Sequence, residues 1–393
     1  MSTWVILGCG YIGLRLTSSL MADGVPVVVC GRNKERLEDL EKKGASAYLF
    51  EATRVRGFTH AMGSLRSPVV VYLLPPIPGF PGGEIVSRAT AAALAAGASR
   101  FIYLSSTAVY GEGTDGEIVD EDSQTAISDM DARPYLSAEG AVDDARNNGL
   151  DSILLRLTPV YGPGRGVRER LLAGTYKLLD EGKHVYSRIH VDDVVGIIRA
   201  AADKAPVNAT YCLSDDHPCT QKEYADWLAE HLGVKKPTSV PSLAPGMPRR
   251  RIRNRAVSNA RVKRELEYMF RYPTYREGEL AIDKDTGVEG KEVALPPLVV
   301  HKKAELGKIA EKTGLRRLAL AHRTLPAKSQ ERLTTSGESA VYVISGELEV
   351  IHGPDKESHK LTAGDLLEVP SLGADIKVSD SAPAELLVIT ARL

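Results

Sequence analysis

Trp4-Val5-Ile6-Leu7-Gly8-Cys9-Gly10-Tyr11-Ile12-Gly13 decides the fold of this chain. A short apolar run leads into the glycines, and Leu14 to Leu20 then reads as a helix. Strand, glycine turn and helix in that order, with G-x-G-x-x-G spacing, form the dinucleotide fingerprint. Gly8 permits the tight turn, Gly10 lets a pyrophosphate approach the backbone, and Gly13 lets helix and strand pack closely. The start of the helix offers free N–H groups and partial positive charge to the phosphates.

Working outward, Val25 to Cys30 is the second strand, and it ends in Gly31-Arg32-Asn33. An acidic residue here accepts hydrogen bonds from a ribose 2′-OH, whereas the Arg32 guanidinium suits a 2′-phosphate. NADP is therefore favoured over NAD, which stays possible. Asn33 to Lys43 reads as a charged amphipathic helix, Ala47 to Phe50 as a third strand, and Glu51 falls near the adenine end. Pro68 to Leu74 is a fourth, buried strand, broken by a Pro75-Pro76-Ile77-Pro78-Gly79 loop expected to run over the cofactor. Ser87 to Ala96 is an alanine-rich helix and Arg100 to Leu104 a fifth strand. This alternation is that of a doubly wound parallel sheet.

The 393 residues are balanced in charge, net −1 with 26% charged, which gives no global argument for nucleic acid or an acidic membrane surface. No apolar stretch is long enough to span a bilayer, and the N-terminus lacks a basic leader region. Cys9, Cys30, Cys212 and Cys219 show no metal spacing and read as reduced thiols of a cytoplasmic protein.

Tyr103-Leu104-Ser105-Ser106-Thr107-Ala108-Val109-Tyr110-Gly111 ends the fifth strand in hydroxyls, at the sheet edge where a nicotinamide lies. Arg133-Pro134-Tyr135 opens a helix through Asn147, and Ser152 to Leu157 is a sixth strand followed by Thr158-Pro159-Val160-Tyr161-Gly162-Pro163-Gly164. Together with Arg188-Ile189-His190-Val191-Asp192-Asp193 and Tyr272-Pro273-Thr274-Tyr275-Arg276-Glu277-Gly278, these segments resemble the extended or atypical short-chain dehydrogenase/reductases, the superfamily of nucleotide-sugar epimerases, dehydratases and related reductases. The resemblance runs in order from about residue 3 to 280. It implies a Rossmann-type α/β domain over 1–282, with a small substrate lobe mainly at 165–280. It also implies cofactor contacts at Gly8, Gly10, Tyr11, Ile12, Gly13, Arg32, Asn33, Leu74, Pro75, Ser105, Thr158 and Val160.

In that family a tyrosine exchanges a proton with the substrate oxygen, a serine or threonine hydrogen-bonds it, and a lysine four residues after the tyrosine supports the phenolate. Carried over, the tyrosine falls on Tyr135 and the hydroxyl on Ser106, with Thr107 beside it. The lysine position is Glu139, and no lysine occurs between Lys43 and Lys177. A phenol titrates near ~10 unaided, so it is a poor base at neutral pH without a cation. Arg133 and Arg146 are the neighbouring cations. Two readings stay open: Tyr135 acts as a neutral acid in carbonyl reduction, or the dinucleotide is bound without turnover, as in a sensor. A redox-neutral epimerase or dehydratase that retains its cofactor is a third.

Asp192 is expected to cap the following helix, Ala209 to Leu213 to be a strand of the small lobe, and Thr220 to cap a helix to Leu232. Arg249, Arg250, Arg251, Arg253, Arg255, Arg261, Lys263 and Arg264 form a basic run, read as a solvated face or as arginines for a diphosphate.

Residues 283–314 read as a linker, and from Leu315 short alternating runs give an all-β signature. Tyr342-Val343-Ile344-Ser345-Gly346-Glu347 followed by Gly364-Asp365-Leu366 to Pro370 resembles the cupins, which implies a jelly-roll barrel over 315–393. The positions where that family places metal ligands fall around Leu333, Thr335, Glu338, Ser339 and Asp375, so no metal is expected, and His322, His352 and His359 read as ordinary polar residues. The chain as a whole reads as an NADP-dependent oxidoreductase acting on a carbonyl or hydroxyl of a sugar-like or nucleotide-linked small molecule. It is expected to form a homodimer with no nucleic-acid or membrane partner.

Overall fold

The computed structural model describes residues 2–54, 57–77, 79–113, 116–242, 253–286, 299–301, 318–333, 339–352, 357–369 and 374–391. The chain packs as two compact units, Met1–Asp226 with Pro237–Arg271, and Trp227–Lys236 with Tyr272–Leu393.

The first unit opens with β1 (Trp4–Leu7), α1 (Tyr11–Ala22), β2 (Val27–Gly31), α2 (Lys34–Lys42), β3 (Ser46–Leu49), α3 (Gly57–Met62), β4 (Val69–Tyr72), α4 (Gly82–Ala95) and β5 (Arg100–Ser106). It continues through β6 (Glu117–Val119), α5 (Arg133–Asn147) and β7 (Ser152–Leu157). The sheet has seven parallel strands in the order Thr210–Leu213, β7, β5, β4, β1, β2, β3. Apart from the exposed edge strand β3, its strands are apolar runs rather than alternating ones because both faces are covered. Ile6, Val29, Val71, Ile102 and Leu155 face one cluster with Leu16 and Leu20 of α1. Their neighbours Leu7, Val28, Val70, Phe101 and Leu154 face the other, with Phe58 of α3, Ala89 of α4 and Val142 of α5.

Two expectations are corrected here. Thr210–Leu213 is the edge of the main sheet, paired parallel with β7, and Tyr211, Cys212 and Leu213 are fully buried. A separate four-stranded sheet runs in the order Cys219–Thr220, Val185–Tyr186, Arg255–Val257, β6. The cap of the helix Val191–Lys204 is His190, whose Nδ1 accepts from the Asp192 amide at 3.2 Å. Asp192 lies inside the first turn, where its own N–H needs the acceptor. Its neighbour Asp193 is fully buried and accepts from the Tyr268 hydroxyl at 3.0 Å and the Arg271 amide at 2.7 Å. Thr220 does cap the helix Gln221–His231, accepting from the Glu223 amide at 3.0 Å.

The second unit carries two antiparallel sheets. One runs Val299–His301, Leu366–Val369, Ser339–Ser345, Ala384–Ala391, Leu318–Leu325, and the other Gln330–Leu333, Ala374–Val378, Glu347–His352, Glu357–Thr362. Val341, Val343 and Leu386 of the first share one apolar cluster with Leu348, Val350 and Ile376 of the second. Val299–His301, within the stretch expected as a linker, pairs with Leu366–Val369. Among the positions considered for a metal, Leu333, Ser339 and Asp375 lie on strands, and Thr335 and Glu338 lie outside the described residues.

Candidate active site

The carboxyl ends of β1, β4, β5 and β7 open onto a groove of about 410 Å³. The turn after β1 builds one wall. Gly8 has φ +120°, and a Cβ on Gly13 would lie 2.1 Å from the Gly8 carbonyl oxygen, so only glycine lets α1 sit so close to the strand. A Cβ on Gly10 would meet nothing within 4 Å. Gly10 is also the N-cap of α1 and makes no side-chain cap, which leaves the first-turn N–H groups to an outside acceptor. Open space over Gly10 and an uncapped helix start fit the diphosphate of a dinucleotide.

The structure brings Gly8, Gly10, Tyr11, Ile12, Gly13, Leu74, Pro75, Ser105, Ser106, Tyr135, Thr158 and Val160 together on this groove. Arg253, one of the arginines considered for a diphosphate, also lines it, as do Leu73, Leu104, Leu157, Pro159 and Arg165, which sequence reasoning did not single out as cofactor or substrate contacts. Tyr11 anchors the rim: its hydroxyl donates to the Pro163 carbonyl at 3.1 Å, with the Arg15 and Arg165 guanidiniums 4.0 and 5.2 Å from its ring centre. Burial pushes the Tyr11 phenol up to about 12, against the pull of Arg15 and Arg165.

Three expected residues lie elsewhere. Thr107 is 2% exposed, donates to the Leu157 carbonyl at 3.3 Å, and is not among the groove lining. Asn33 caps α2 by accepting from the Arg36 amide at 2.9 Å. Arg32 is exposed and lines a neighbouring cavity of about 540 Å³ with Glu51, Arg54 and His60. From the same turn, Arg36 reaches back over the glycine loop and donates to the Cys9 carbonyl at 3.2 Å.

Behind the groove wall, Glu139 is 4% exposed. It accepts from the Ser105 hydroxyl at 2.6 Å and from Arg156 of β7 in a two-pronged pair, Nε at 3.2 Å and Nη2 at 2.9 Å. Arg156 also donates to the Tyr110 hydroxyl at 2.9 Å, and that hydroxyl donates to the Asp120 carbonyl at 2.6 Å. Burial opposes the charge on Arg156, but the hydrogen bonds and charge of Glu139, with Tyr110, outweigh it and hold the guanidinium above its ordinary value. Glu139 therefore acts as the acceptor of a buried ion pair that ties α5 to β5 and β7. Arg146, one candidate for a substitute cation, is instead bonded to the Ser152 and Ala209 carbonyls at 2.7 and 3.1 Å.

The basic run divides. Arg253 lines the groove. Arg255 is 3% exposed, donates to the carbonyls of Thr107 at 2.6 Å and of Gly111, and is drawn down to about 10 by burial and the nearby Arg253 charge. Arg261 pairs with Asp122 at 2.6 Å and Lys263 with Asp216 at 2.6 Å. Arg249 to Arg251 lie outside the described residues. The four cysteines are free and buried, and burial pushes Cys30 and Cys212 up to about 12, so these two stay thiols. Among the described residues, no helix is long and apolar enough to cross a membrane.

Comparison with known proteins agrees with this geometry. Residues 4–213 match the model of the NAD dependent epimerase/dehydratase family. Protein YeeZ of Escherichia coli K12 is 26% identical over 281 residues, covering 68% of this chain and 95% of that protein. A Streptomyces 3-diazoavenalumate denitrifying reductase is 27% identical over 299 residues, covering 68% and 96%. Among solved structures, a conserved protein of unknown function from Silicibacter pomeroyi superposes with a TM-score of 0.61 at 29% identity, covering 72% of this chain and 99% of that one.

Proposed function

The chain belongs to the NAD dependent epimerase/dehydratase family, and from that premise we propose that it is an NADP-dependent oxidoreductase of the extended or atypical short-chain type, reducing the carbonyl of a small molecule. What carries this reading is that Tyr135 and Ser106 wall the same groove as the Gly8–Gly13 loop. When bound there, a reduced nicotinamide supplies the hydride for the carbonyl carbon.

The chain's own residues do the rest. The loop amides and the α1 start hold the diphosphate, with Arg165 as a cation on the rim. Arg32 and Arg36 offer guanidiniums to a 2′-phosphate. The Ser106 hydroxyl orients the substrate oxygen, and the Tyr135 phenol delivers its proton there as the alkoxide develops. With Glu139 committed to Arg156, it offers no cation to a phenolate, which makes the phenol a proton donor and reduction the favoured direction. The resemblance alone suggests a sugar-like or nucleotide-linked substrate; the lining of the cavity beside the groove narrows that class. We read residues 315–393 as a cupin-like jelly roll in a structural, dimerising or small-ligand role, and the protein as a cytoplasmic homodimer.

Absorbance at the reduced-nicotinamide band over a panel of ketosugars and small ketones tests the reaction. Tyr135→Phe is expected to lower turnover by about 100-fold or more with NADPH binding retained, and unchanged turnover overturns the assignment. Arg32→Ala is expected to weaken NADP binding by about tenfold and leave NAD binding unmoved. The glutamate at the lysine position favours a second reading, an NADP-binding sensor. Its signature is tight NADPH binding with no turnover on any carbonyl.

A further inference from the structure

A second cavity, of about 440 Å³, adjoins the groove and shares Pro159 and Val160 with it. Four tyrosines wall it: Tyr161, Tyr176, Tyr186 and Tyr224. Three of them are buried and Tyr186 is half-buried. Two phenol ends are engaged in the wall itself. The Tyr176 hydroxyl accepts from Gln221 Nε2 at 3.0 Å, and the Tyr186 hydroxyl is bonded to the Arg253 backbone. Gln221 is held at its other end too, its Oε1 accepting from the Leu179 amide at 2.8 Å. Each of these two hydroxyls accepts in the wall and keeps its own O–H for an acceptor on a ligand, and beside that the tyrosines offer ring surface.

The charged groups on the wall have one sign. Arg170 and Arg188 lie 4.8 and 4.1 Å from the ring centres of Tyr176 and Tyr224, and Lys177 is the third cation. Arg188 is 6% exposed and also donates to Cys219 Sγ at 2.9 Å, while Arg170 is exposed. Among the described lining residues there is no aspartate, glutamate, asparagine or histidine. A sugar ring presents several hydroxyl donors, each of which needs an acceptor when water is excluded. This wall has few to spare. A flat aromatic ring stacks on tyrosine faces, and an anionic substituent meets a guanidinium that is already held against a ring.

We propose that this cavity binds the substrate and that the substrate is a planar aromatic molecule carrying a carboxylate. That its reducible carbonyl sits at the Pro159–Val160 end rests on the oxidoreductase reading; the class of molecule bound does not.

Titration of the full-length protein with 2-naphthoate, cyclohexanecarboxylate and UDP-glucose, followed by calorimetry, tests this. 2-Naphthoate is expected to bind saturably and about tenfold more tightly than either of the others. Arg170→Gln and Tyr186→Leu are each expected to weaken it by about three- to tenfold with the NADPH dissociation constant unmoved, and Arg170→Gln, an exposed side chain, leaves the thermal midpoint unmoved as well. The assignment is overturned if UDP-glucose binds more tightly than 2-naphthoate, if cyclohexanecarboxylate binds as well, or if both variants leave naphthoate affinity unchanged. NADPH titration of the same preparations keeps the two readings apart. Naphthoate binding without NADPH binding removes the oxidoreductase reading and leaves the cavity assignment standing. NADPH binding without naphthoate binding does the reverse.

Discussion

Glu139 shows how one side chain changes meaning between sequence and structure. The resemblance expects a lysine at its position, and by contact it is half of a buried ion pair. Both partners are nearly excluded from water, with side-chain exposures of 10% for Arg156 and 6% for Glu139. Removing one member of such a pair strands the other in a poorly solvated site. Glu139→Gln is therefore expected to lower stability by about 3–5 kcal/mol in urea unfolding. Replacing both residues together, Glu139→Leu with Arg156→Met, is expected to recover most of that loss, because two apolar groups of similar volume leave no charge unpaired. The Ser105 hydroxyl then keeps only weaker partners, so recovery is incomplete. Glu139→Lys sets two cations side by side and destabilises rather than restoring the family site. The pairing had a trace in the sequence: Arg156 interrupts the apolar run Ser152-Ile153-Leu154-Leu155-Arg156-Leu157, and a charge within a buried strand calls for a partner. Which partner answers is a matter of how α5 lies on the sheet, and no local spacing encodes that.

At the scale of elements, the β1–loop–α1 unit separates folding from ligand binding within four residues. Gly13→Ala puts a methyl 2.1 Å from the Gly8 carbonyl oxygen. It is expected to cost about 1–3 kcal/mol or more, as an early thermal midpoint. Gly10→Ala meets open space at an ordinary φ of −92°, so the midpoint is expected to stay put. The added methyl instead occupies the approach of the diphosphate, and NADPH affinity is expected to fall by about tenfold. Equal effects of the two substitutions on stability and on affinity would defeat this division. Elements of this kind were legible because their cause is local: glycine spacing, a polar cap at Thr220, continuous apolar runs for strands covered on both faces. Those set by distant contacts were not. Thr210–Leu213 reads equally well as a lobe strand or a sheet edge, and only the parallel pairing with β7 decides. Arg165 enters the groove from a loop, where sequence carries no periodicity to follow, and the basic run did not say that Arg253 rather than its neighbours would reach it. Arg36 was hidden by its helix, whose first turn happens to lie over the glycine loop.

On the scale of the whole molecule, each unit has its own apolar cluster, so unfolding need not be a single step, and a pH effect has to be assigned to the unit that contains its cause. The first unit contains His190, 2% exposed beneath the site, with its imidazole pushed down to about 3 by burial and by the charges of Arg15 and Arg271. At 3.7 Å from Asp192 it resembles an ion pair, but a neutral ring makes none; its role is the cap, with Nδ1 as acceptor. The sign follows from the depressed value. Above about pH 6.5 the ring is neutral in both the folded and the unfolded chain, and this contribution is fully present. As pH falls from there toward 3, the unfolded chain takes up a proton that the folded one refuses. Stability of the first unit is then lost with a slope approaching about 1.4 kcal/mol per pH unit. His190→Asn supplies the control, because asparagine is a strong helix cap and does not titrate. Between pH 7.5 and 5, above the range where most carboxylates titrate, the wild-type urea midpoint of this unit is expected to fall and the variant's to fall distinctly less. Glu121, whose buried carboxyl is pushed up, works in the opposite direction in both proteins, so the difference between the two curves isolates the imidazole. Parallel curves would mean that His190 protonates freely in the folded chain, and that the strand end and helix start around it are open to water.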